Sequence, residues 1–284
     1  MRIEIPTLVK WAGGKKQLLN QFDKFFPKKI DRYIEPFLGG GAVAFYIIKR
    51  FHPKNVFLSD INEELVNAYK AVQLNVPELI EALSLLAKKH SKEFYYKIRA
   101  QDPQKLSDVD RAARLIYLNK TCFNGLYRVN SEGKFNVPIG EHKHLQIVDT
   151  KDLMEINHLL KHAIIKTMPF EKVLDFAKKG DFIYLDPPYY PLKEGKSFTK
   201  YHKGDFSKID QERLKSIFDK LTKRGCKAML SNSDAPFIRD LYKEYSIQIV
   251  QARRMINCDA TKRGKINEVV VTNYKPIYQK TLID

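Results

Sequence analysis

The chain of 284 residues has few cysteines: Cys122, Cys226 and Cys258 lie far apart, with no CxxC spacing. This scarcity excludes a disulfide framework and a cysteine-rich zinc site, and it is typical of proteins from a reducing compartment. We also expect no catalytic metal. The N-terminal residues lack the apolar run of a signal peptide, and no stretch approaches the roughly 18 apolar residues that span a membrane. We therefore expect a cytoplasmic protein with no membrane partner.

Acidic residues are also scarce relative to basic ones. The 33 Asp and Glu residues stand against 50 Lys and Arg residues, which gives a formal net charge of +17. Such an excess points to a polyanionic partner, most simply nucleic acid, although a generic basic surface has the same composition. The chain is 44% hydrophobic and 12% aromatic, so it can bury a core, and this excludes a disordered protein.

No Gly/Ser/Pro-rich linker and no internal repeat divides the chain, so domain boundaries are inferred from changes in pattern. Apolar runs predict strands at residues 32–37, 55–59, 181–185, 228–231, 247–251 and 268–273. Helices are predicted between them, for example at 42–50 and 210–223, and this alternation indicates a doubly wound α/β sheet. Residues 65–165 carry few strand signals and predict a mainly helical module inserted into that sheet.

A glycine loop follows the first predicted strand and opens a helix. Gly39, Gly41 and Ala44 form a G-x-G-x-x-A pattern, which lets the backbone approach a ligand at the N-terminus of a helix. Asp60 lies at the end of the next predicted strand, about 20 residues after Gly39. A carboxylate at this place can accept hydrogen bonds from ribose hydroxyls. The ordered set predicts a nucleoside-type cofactor, for which NAD and S-adenosylmethionine both remain candidates.

The segment Lys10-Trp11-Ala12-Gly13-Gly14-Lys15 has a superficial likeness to a phosphate-binding P-loop. Val9 and Lys16 stand where that loop needs Gly and Ser or Thr. An ATPase is therefore not predicted.

The decisive motif is Asp186-Pro187-Pro188-Tyr189, at the carboxyl end of a predicted buried strand, where open α/β sheets place their chemistry. Asp186 and the carbonyl of Pro187 can accept the two N–H groups of an exocyclic amine, because Pro188 makes that backbone rigid. Tyr189 offers a ring on which a base can stack. A strand terminator with a capping Asp is the structural alternative, but the upstream cofactor loop argues against it.

In this order the motifs resemble those of the Dam-type DNA adenine methylases, the α-group N6-adenine methyltransferases, over almost the whole chain. The resemblance implies a Rossmann-like class I methyltransferase sheet with an inserted, mainly helical target-recognition domain. Residues 1–64 and 166–284 would form the catalytic domain that binds S-adenosylmethionine, and residues 65–165 the target-recognition domain. The implied reaction methylates N6 of an adenine that is flipped out of duplex DNA, in GATC.

The resemblance also implies roles for individual residues. The catalytic residues would be Asp186, Pro187, Pro188 and Tyr189. The cofactor-binding residues would be Lys10, Trp11, Ala12, Gly13, Lys15, Glu35, Pro36, Phe37, Gly39, Gly41, Asp60, Ile61 and Asp186. The DNA-binding residues would be Lys10, Phe123, Asn124, Leu126, Tyr127, Arg128, Asn130, Pro138, Tyr201, Lys262 and Arg263.

Three alternatives remain open: methylation of another A-T-rich palindrome, methylation of RNA or another exocyclic amine, and a DNA-binding module without catalysis. Asp186 favours DNA adenine, since related enzymes for other amines usually carry Asn or Ser at that position. No cysteine lies near Asp186, which argues against methylation at C5 of cytosine. The expected partners are double-stranded DNA and, in a restriction system, the cognate endonuclease. A monomer suffices to methylate one strand at a time.

Overall fold

The computed structural model describes residues 3–141, 145–192, 206–253 and 265–276. Tyr201, Lys262 and Arg263, three of the predicted DNA-binding residues, lie outside this description. The described helices are α1 (Leu19–Phe22), α2 (Ala42–Phe51), α3 (Glu63–Leu74), α4 (Val76–Lys88), α5 (Lys92–Ala100), α6 (Asp108–Thr121), α7 (Thr150–Leu160), α8 (Lys208–Lys223) and α9 (Pro236–Leu241). The described strands are β1 (Arg32–Glu35), β2 (Asn55–Asp60), β3 (Ile164–Thr167), β4 (Phe182–Leu185), β5 (Lys227–Ser233), β6 (Ser246–Arg253) and β7 (Lys265–Thr272).

The strands form a seven-stranded sheet in the order β3-β2-β1-β4-β5-β7-β6. β4 pairs in parallel with β1 and with β5, and β2 pairs in parallel with β3. β7 pairs antiparallel with both β5 and β6. The chain thus moves outward from a central β1 in both directions, which is the doubly wound arrangement. The predicted Rossmann-like α/β sheet is confirmed.

Strand β3 was missed by the sequence analysis, which placed its first residues inside the helical module. Only Ile165 of its four residues is buried, whereas Ile164, Lys166 and Thr167 are exposed. A strand with a single buried side chain has no apolar run and only four residues of alternation, so its sequence resembles that of a polar connection. The other six strands lie within a few residues of their predicted positions.

One compact unit comprises the described residues of Met1–Gly14, Leu38–Arg50 and Phe57–Pro169. Helices α3 to α7 belong to it, and this part of the chain is mainly helical, as expected. Ser107 accepts the N–H of Asp110 and caps α6, while a proline stands in the first turn of α4. The side chains of Tyr69, Leu79, Leu83 and Tyr117 are fully buried in this unit.

A second compact unit comprises the described residues of Lys15–Phe37, Phe51–Val56 and Phe170–Asp284. All four residues of its strand β4 are buried, as expected for a strand that is covered on both faces. Helix α8 begins with a capping box formed by Ser207 and Asp210, and Leu214 and Phe218 on its inner face are fully buried.

A buried ion pair stands at the entrance to β4. Arg32 Nη1 donates to Asp181 Oδ2 at 2.8 Å, and the side chain of Asp181 is only 3% exposed. Replacing Arg32 with Met leaves a buried carboxylate without its cation, so we expect the free energy of unfolding to fall by roughly 3–5 kcal/mol.

Chemical denaturation checks this expectation, with Lys29→Met as the control. Lys29 pairs with Asp31 at the surface, where both side chains are more than half exposed, and its loss should cost about 0–1 kcal/mol. Equal effects of the two substitutions would contradict the stabilising role of the Arg32–Asp181 pair.

Candidate functional site

The tetrapeptide that begins with Asp186 leaves the sheet directly after β4, at its carboxyl end. Lys15 Nζ donates to Asp186 Oδ2 at 2.8 Å and lies 4.6 Å from the centroid of the Tyr189 ring. Lys15 itself is buried, with its side chain 4% exposed. The other carboxylate oxygen, Asp186 Oδ1, is buried and has no hydrogen-bond partner among the described residues. Since an unpartnered buried carboxylate oxygen is costly, this atom is suited to accept a hydrogen bond from a ligand.

The charge of Asp186 is set by its surroundings. The pKa of this carboxyl is raised to about 6: burial is the largest cause, the charge and hydrogen bond of Lys15 oppose the rise, and the charge of Glu268 adds to it. At neutral pH the group is therefore ionised and able to accept hydrogen bonds, while below about pH 6 it is protonated.

Tyr189 is held at its hydroxyl end. Its O–H donates to Glu268 Oε2 on β7 at 2.7 Å. Burial is the main reason that the pKa of Tyr189 lies well above its usual value, and the neighbouring carboxylates of Asp186 and Glu268 raise it as well. The side chain is therefore neutral, with its hydroxyl end held by Glu268 and with Lys15 over the ring.

A buried amide network positions the backbone after Asp186. Gln211 Nε2 donates to the carbonyl of Pro188 at 2.9 Å, and Asn232 Nδ2 donates to Gln211 Oε1 at 3.0 Å. Asn232 Oδ1 accepts the N–H of Tyr190 at 3.0 Å, and Ser233 Oγ donates to the carbonyl of Tyr190 at 2.6 Å. Gln211 and Asn232 are fully buried. The network fixes the path of the chain on both sides of Tyr189.

The sequence analysis missed this network, although a signal for it exists. Gln211 stands on the face of α8 that also carries Leu214 and Phe218, where an apolar residue is expected. Asn232 lies in β5, where every residue after the exposed Lys227 is buried. Polar side chains at core positions need partners, so they mark a buried hydrogen-bonded network.

Three further predicted cofactor-binding residues, Glu35, Pro36 and Phe37, lie in the same compact unit as Asp186, and Pro36 is buried. Glu35, at the end of β1, is buried and accepts a hydrogen bond of 2.6 Å from the hydroxyl of Tyr33. The ring of Phe37 stacks on Phe170 at 5.3 Å and meets the edge of Phe206 at 5.9 Å. These contacts hold the residues immediately before the glycine loop.

The glycine loop and Asp60 come together in the other compact unit. Asp60 Oδ2 accepts the N–H of Gly39, and Oδ1 accepts the N–H of Asn62, both at 3.0 Å. The hydroxyl of Tyr69 donates to the carbonyl of Gly39 at 2.9 Å. Gly41 has a φ of +71°, and a Cβ there would lie 2.8 Å from the Tyr69 hydroxyl. Only glycine fits at this position, because any side chain would clash.

Asp60 has a raised pKa, because it is largely buried, although its backbone hydrogen bonds lower the pKa in part. Beside it the side chain of Ile61 is 69% exposed. Trp11 lies against the same loop, since a Cβ on Gly39 would be 3.0 Å from Trp11 Cδ1. Ala12 and Gly13, which follow Trp11, are exposed.

Residues 121–140 form a hairpin. Antiparallel bridges join Cys122 to Ile139 and Val129 to Phe135. Asn124 turns the chain at a φ of +56°, and Gly125 follows at +64°. The hairpin exposes six of the predicted DNA-binding residues: Phe123, Asn124, Leu126, Arg128, Asn130 and Pro138.

Two contacts, one of Arg128 and one of Lys10, determine which groups the hairpin exposes to solvent. Arg128 Nε donates to Asn136 Oδ1 at 2.7 Å, so one edge of the guanidinium is held by the hairpin itself. The exposed Lys10 belongs to the same compact unit, and a Cβ on Gly125 would lie 2.5 Å from Lys10 Cδ. Tyr127, by contrast, is half-buried.

The described residues contain no group of three metal-ligating side chains close enough to hold an ion. The sequence does contain one pair of histidines at the spacing of helical ligands, His158 and His162, which the sequence analysis overlooked. No described helix is long and apolar enough to cross a membrane.

Comparison with known proteins gives a match to the family model described as D12 class N6 adenine-specific DNA methyltransferase, over residues 11–256. The chain is 45% identical to the type II methyltransferase M.MjaIII of Methanocaldococcus jannaschii, over 96% of the chain and 100% of that protein. It is 42% identical to the type II methyltransferase M1.LlaDCHI of Lactococcus lactis subsp. cremoris, over 96% of the chain and 97% of that protein. It is 33% identical to a DNA adenine methylase of Haemophilus influenzae, over 95% and 94%.

The effect of Lys15 on the pKa of Asp186 can be tested by substitution. In Lys15→Met the carboxyl of Asp186 loses the charge and hydrogen bond that lower its pKa, so its pKa should rise above about 6. Carbon-13 NMR of labelled aspartate carboxyls, followed through a pH titration, measures this shift.

The neighbouring Lys16→Met is the matched control, because Lys16 is exposed. This substitution also removes one positive charge, but it should leave the pKa of Asp186 unchanged. If Lys15→Met also left the titration unchanged, Lys15 would not be the cation that stabilises the ionised carboxylate.

Proposed function

The chain belongs to the D12 class N6 adenine-specific DNA methyltransferase family, and from this premise we propose that it methylates N6 of the adenine in GATC sites with S-adenosylmethionine as methyl donor. Site-specific methylation of adenine in DNA is the activity that the family and the type II and Dam relatives support. The observation that carries the assignment to this site is Asp186 Oδ1, which is buried and has no hydrogen-bond partner among the residues that the structure describes.

In the proposed reaction Asp186 Oδ1 accepts one N–H of the adenine amino group, and the carbonyl of Pro187 accepts the other. The ring of Tyr189 stacks on the flipped base. With both N–H groups held in this way, the lone pair on N6 is oriented for in-line attack. Bound S-adenosylmethionine would supply the methyl group from its sulfonium sulfur; the S–CH3 bond breaks as the N–CH3 bond forms, S-adenosylhomocysteine is the leaving group, and N6 releases one proton to water. The residues contribute positioning and a preorganised negative charge that stabilises the positive charge developing on N6.

Lys15 has a second role in this proposal, beside the cofactor contact implied by resemblance. Its ammonium group holds Asp186 Oδ2 at 2.8 Å, which leaves Oδ1 as the acceptor for the substrate. Because Lys15 also lowers the pKa of the carboxyl, it keeps the acceptor ionised near neutral pH.

The glycine loop fits a nucleoside-type cofactor. Asp60 already accepts the N–H groups of Gly39 and Asn62 and has a further backbone hydrogen bond with Ile61, but a carboxylate has about four acceptor positions, so capacity remains for a ribose hydroxyl. The exposed Ile61 offers apolar surface next to it. The glycines at positions 39 and 41 allow the positive φ angles and the close approach of Trp11 and Tyr69 that give the loop its shape.

We assign target recognition to residues 65–165, and within them to the hairpin. Phe123 and Leu126 are exposed apolar side chains of the kind that wedge between base pairs when a nucleotide leaves the stack. Arg128, with one edge fixed by Asn136, presents its remaining N–H groups for a guanine edge. The proposal extends to Lys10, Asn124, Asn130 and Pro138, and to Tyr201, Lys262 and Arg263. Tyr127 is half-buried against Trp11 and Phe135, so we propose that it supports the hairpin instead of contacting DNA directly.

We also propose that the protein acts as a monomer in a restriction-modification setting. Two relatives above 40% identity are named type II methyltransferases, the class that is paired with restriction endonucleases. A cognate endonuclease is then the second partner, after duplex DNA.

Asp186→Ala should reduce adenine methylation by far more than tenfold, because it removes the acceptor for N6. A tenfold loss alone corresponds to about 1.4 kcal/mol of activation free energy. Affinity for S-adenosylmethionine, measured by calorimetry, should stay within a few-fold. In the unmodified protein kcat/KM should fall as the pH drops below about 6, since protonation of Asp186 removes the same acceptor.

Asp240→Ala serves as the control, because Asp240 is 77% exposed. Methylation by Asp186→Ala within tenfold of the unmodified protein would overturn the assignment of this carboxylate to N6.

Arg128→Ala should lose roughly 1–3 kcal/mol of discrimination at one guanine of the target, because a bidentate contact to that base is removed. Sequencing of DNA methylated in vitro by both proteins measures the site preference. Lys134→Ala, at an exposed position of the same hairpin, removes an equal charge and should leave the preference unchanged.

Two outcomes of that experiment would count against the recognition assignment. The GATC proposal is wrong if the unmodified protein methylates another sequence, such as a different A-T-rich palindrome. The role of Arg128 is wrong if its alanine variant keeps the full site preference.

A further inference from the structure

Tyr127 contacts two of the segments to which cofactor binding is assigned. Its ring stacks on Trp11, with centroids 5.1 Å apart and planes 29° from parallel. Its hydroxyl is hydrogen-bonded by the side chain of Asn62. Trp11 lies against Gly39 of the glycine loop, and Asn62 donates its N–H to Asp60. A single hairpin side chain therefore meets both the N-terminal motif and the acidic motif.

Tyr127 is also fixed within the hairpin. Its ring meets the edge of Phe135 on the opposite strand, with centroids 5.9 Å apart. In extended backbone, successive side chains point to opposite faces, and the neighbours Leu126 and Arg128 are exposed while Tyr127 is half-buried. Tyr127 thus anchors the face of the hairpin opposite to the residues that are proposed to read DNA.

Asn119 forms a second link between the same segments. Its Oδ1 accepts the N–H of Lys10 at 2.8 Å, and its Nδ2 donates to the carbonyls of Lys10 and Gly125, each at 2.9 Å. This amide is fully buried at the end of α6. Movement of the hairpin turn relative to the Lys10–Trp11 backbone would break these hydrogen bonds, so the two segments move together.

We propose that Tyr127 is a specificity-determining positioning residue, through which cofactor bound at Trp11 and Asp60 holds Leu126 and Arg128 in the orientation that reads the target site. This inference rests on the proposed function. It requires that bound cofactor raise the affinity for the target site more than the affinity for unrelated DNA. By thermodynamic linkage, target DNA must then raise the affinity for the cofactor by the same factor. A tyrosine with a merely structural role would change the affinity for both kinds of DNA alike.

The test measures the affinity of the full-length protein for two labelled duplexes, with and without S-adenosylhomocysteine. One duplex contains the sequence that the protein methylates, and the other is a scrambled duplex of equal composition. S-adenosylhomocysteine changes the affinity for each duplex by some factor. The coupling is the factor for the target duplex divided by the factor for the scrambled duplex. Tyr127→Leu removes the stack on Trp11 and should lower the coupling about threefold to tenfold, the range for a stacked aromatic pair.

Two further variants separate the contacts and control for general damage. Tyr127→Phe keeps the stack but loses the hydrogen bond to Asn62, so its coupling should fall between those of the unmodified protein and Tyr127→Leu. Tyr96→Leu truncates a half-buried tyrosine of α5 in the same compact unit and should keep the full coupling.

Trp11 gives an independent readout, because it is the single tryptophan of the chain. Addition of the target duplex should change its emission in the unmodified protein, and Tyr127→Leu should remove most of that change. The inference is overturned if the unmodified protein shows no coupling, if Tyr127→Leu keeps it, or if that variant weakens both duplexes equally. Failure of the proposed function is distinguishable, because the unmodified protein would then methylate no adenine or bind no S-adenosylhomocysteine.

Discussion

At the end of β4 one carboxylate oxygen of Asp186 is paired to a cation and the other, which is buried, has no hydrogen-bond partner in the described part of the chain; the proposed chemistry depends on that arrangement. Burial alone favours the protonated form of Asp186, which could not accept a hydrogen bond through both oxygens. Lys15 offsets this cost in part and occupies only Oδ2. The result is an ionised carboxylate at neutral pH with one oxygen able to accept a hydrogen bond from the proposed substrate, at the expense of local stability.

Surrounding side chains hold the backbone after Asp186 and the side chain of Tyr189 in one conformation. The amides of Gln211 and Asn232 hold the backbone at Pro188 and Tyr190, and Glu268 holds the hydroxyl of Tyr189. These side chains come from a helix and two strands of the sheet, which are rigid elements. A catalytic group that acts by positioning needs such support, because small displacements of the reacting atoms are costly in rate.

The other compact unit brings together residues that are proposed to serve two tasks, cofactor binding and target reading. Asp60 ties the glycine loop to the start of α3, and Tyr127 ties the hairpin to Trp11 and to Asn62 at the same place. Residues assigned to cofactor binding and to target reading therefore share contacts within a single unit. Such shared contacts are the physical basis on which occupancy of one site can change the geometry of another.

The sequence by itself determined the order of the motifs, the α/β sheet and the family, because glycine loops, buried strands and the tetrapeptide at Asp186 have short-range patterns. It did not reveal β3, which buries one side chain, nor the pairing of Lys15 with Asp186, whose positions are far apart in the chain. It also did not reveal the roles of Gln211, Asn232 and Asn119. Only the tertiary structure decided these, because the partner of a buried polar group is set by long-range packing, on which local periodicity carries no information.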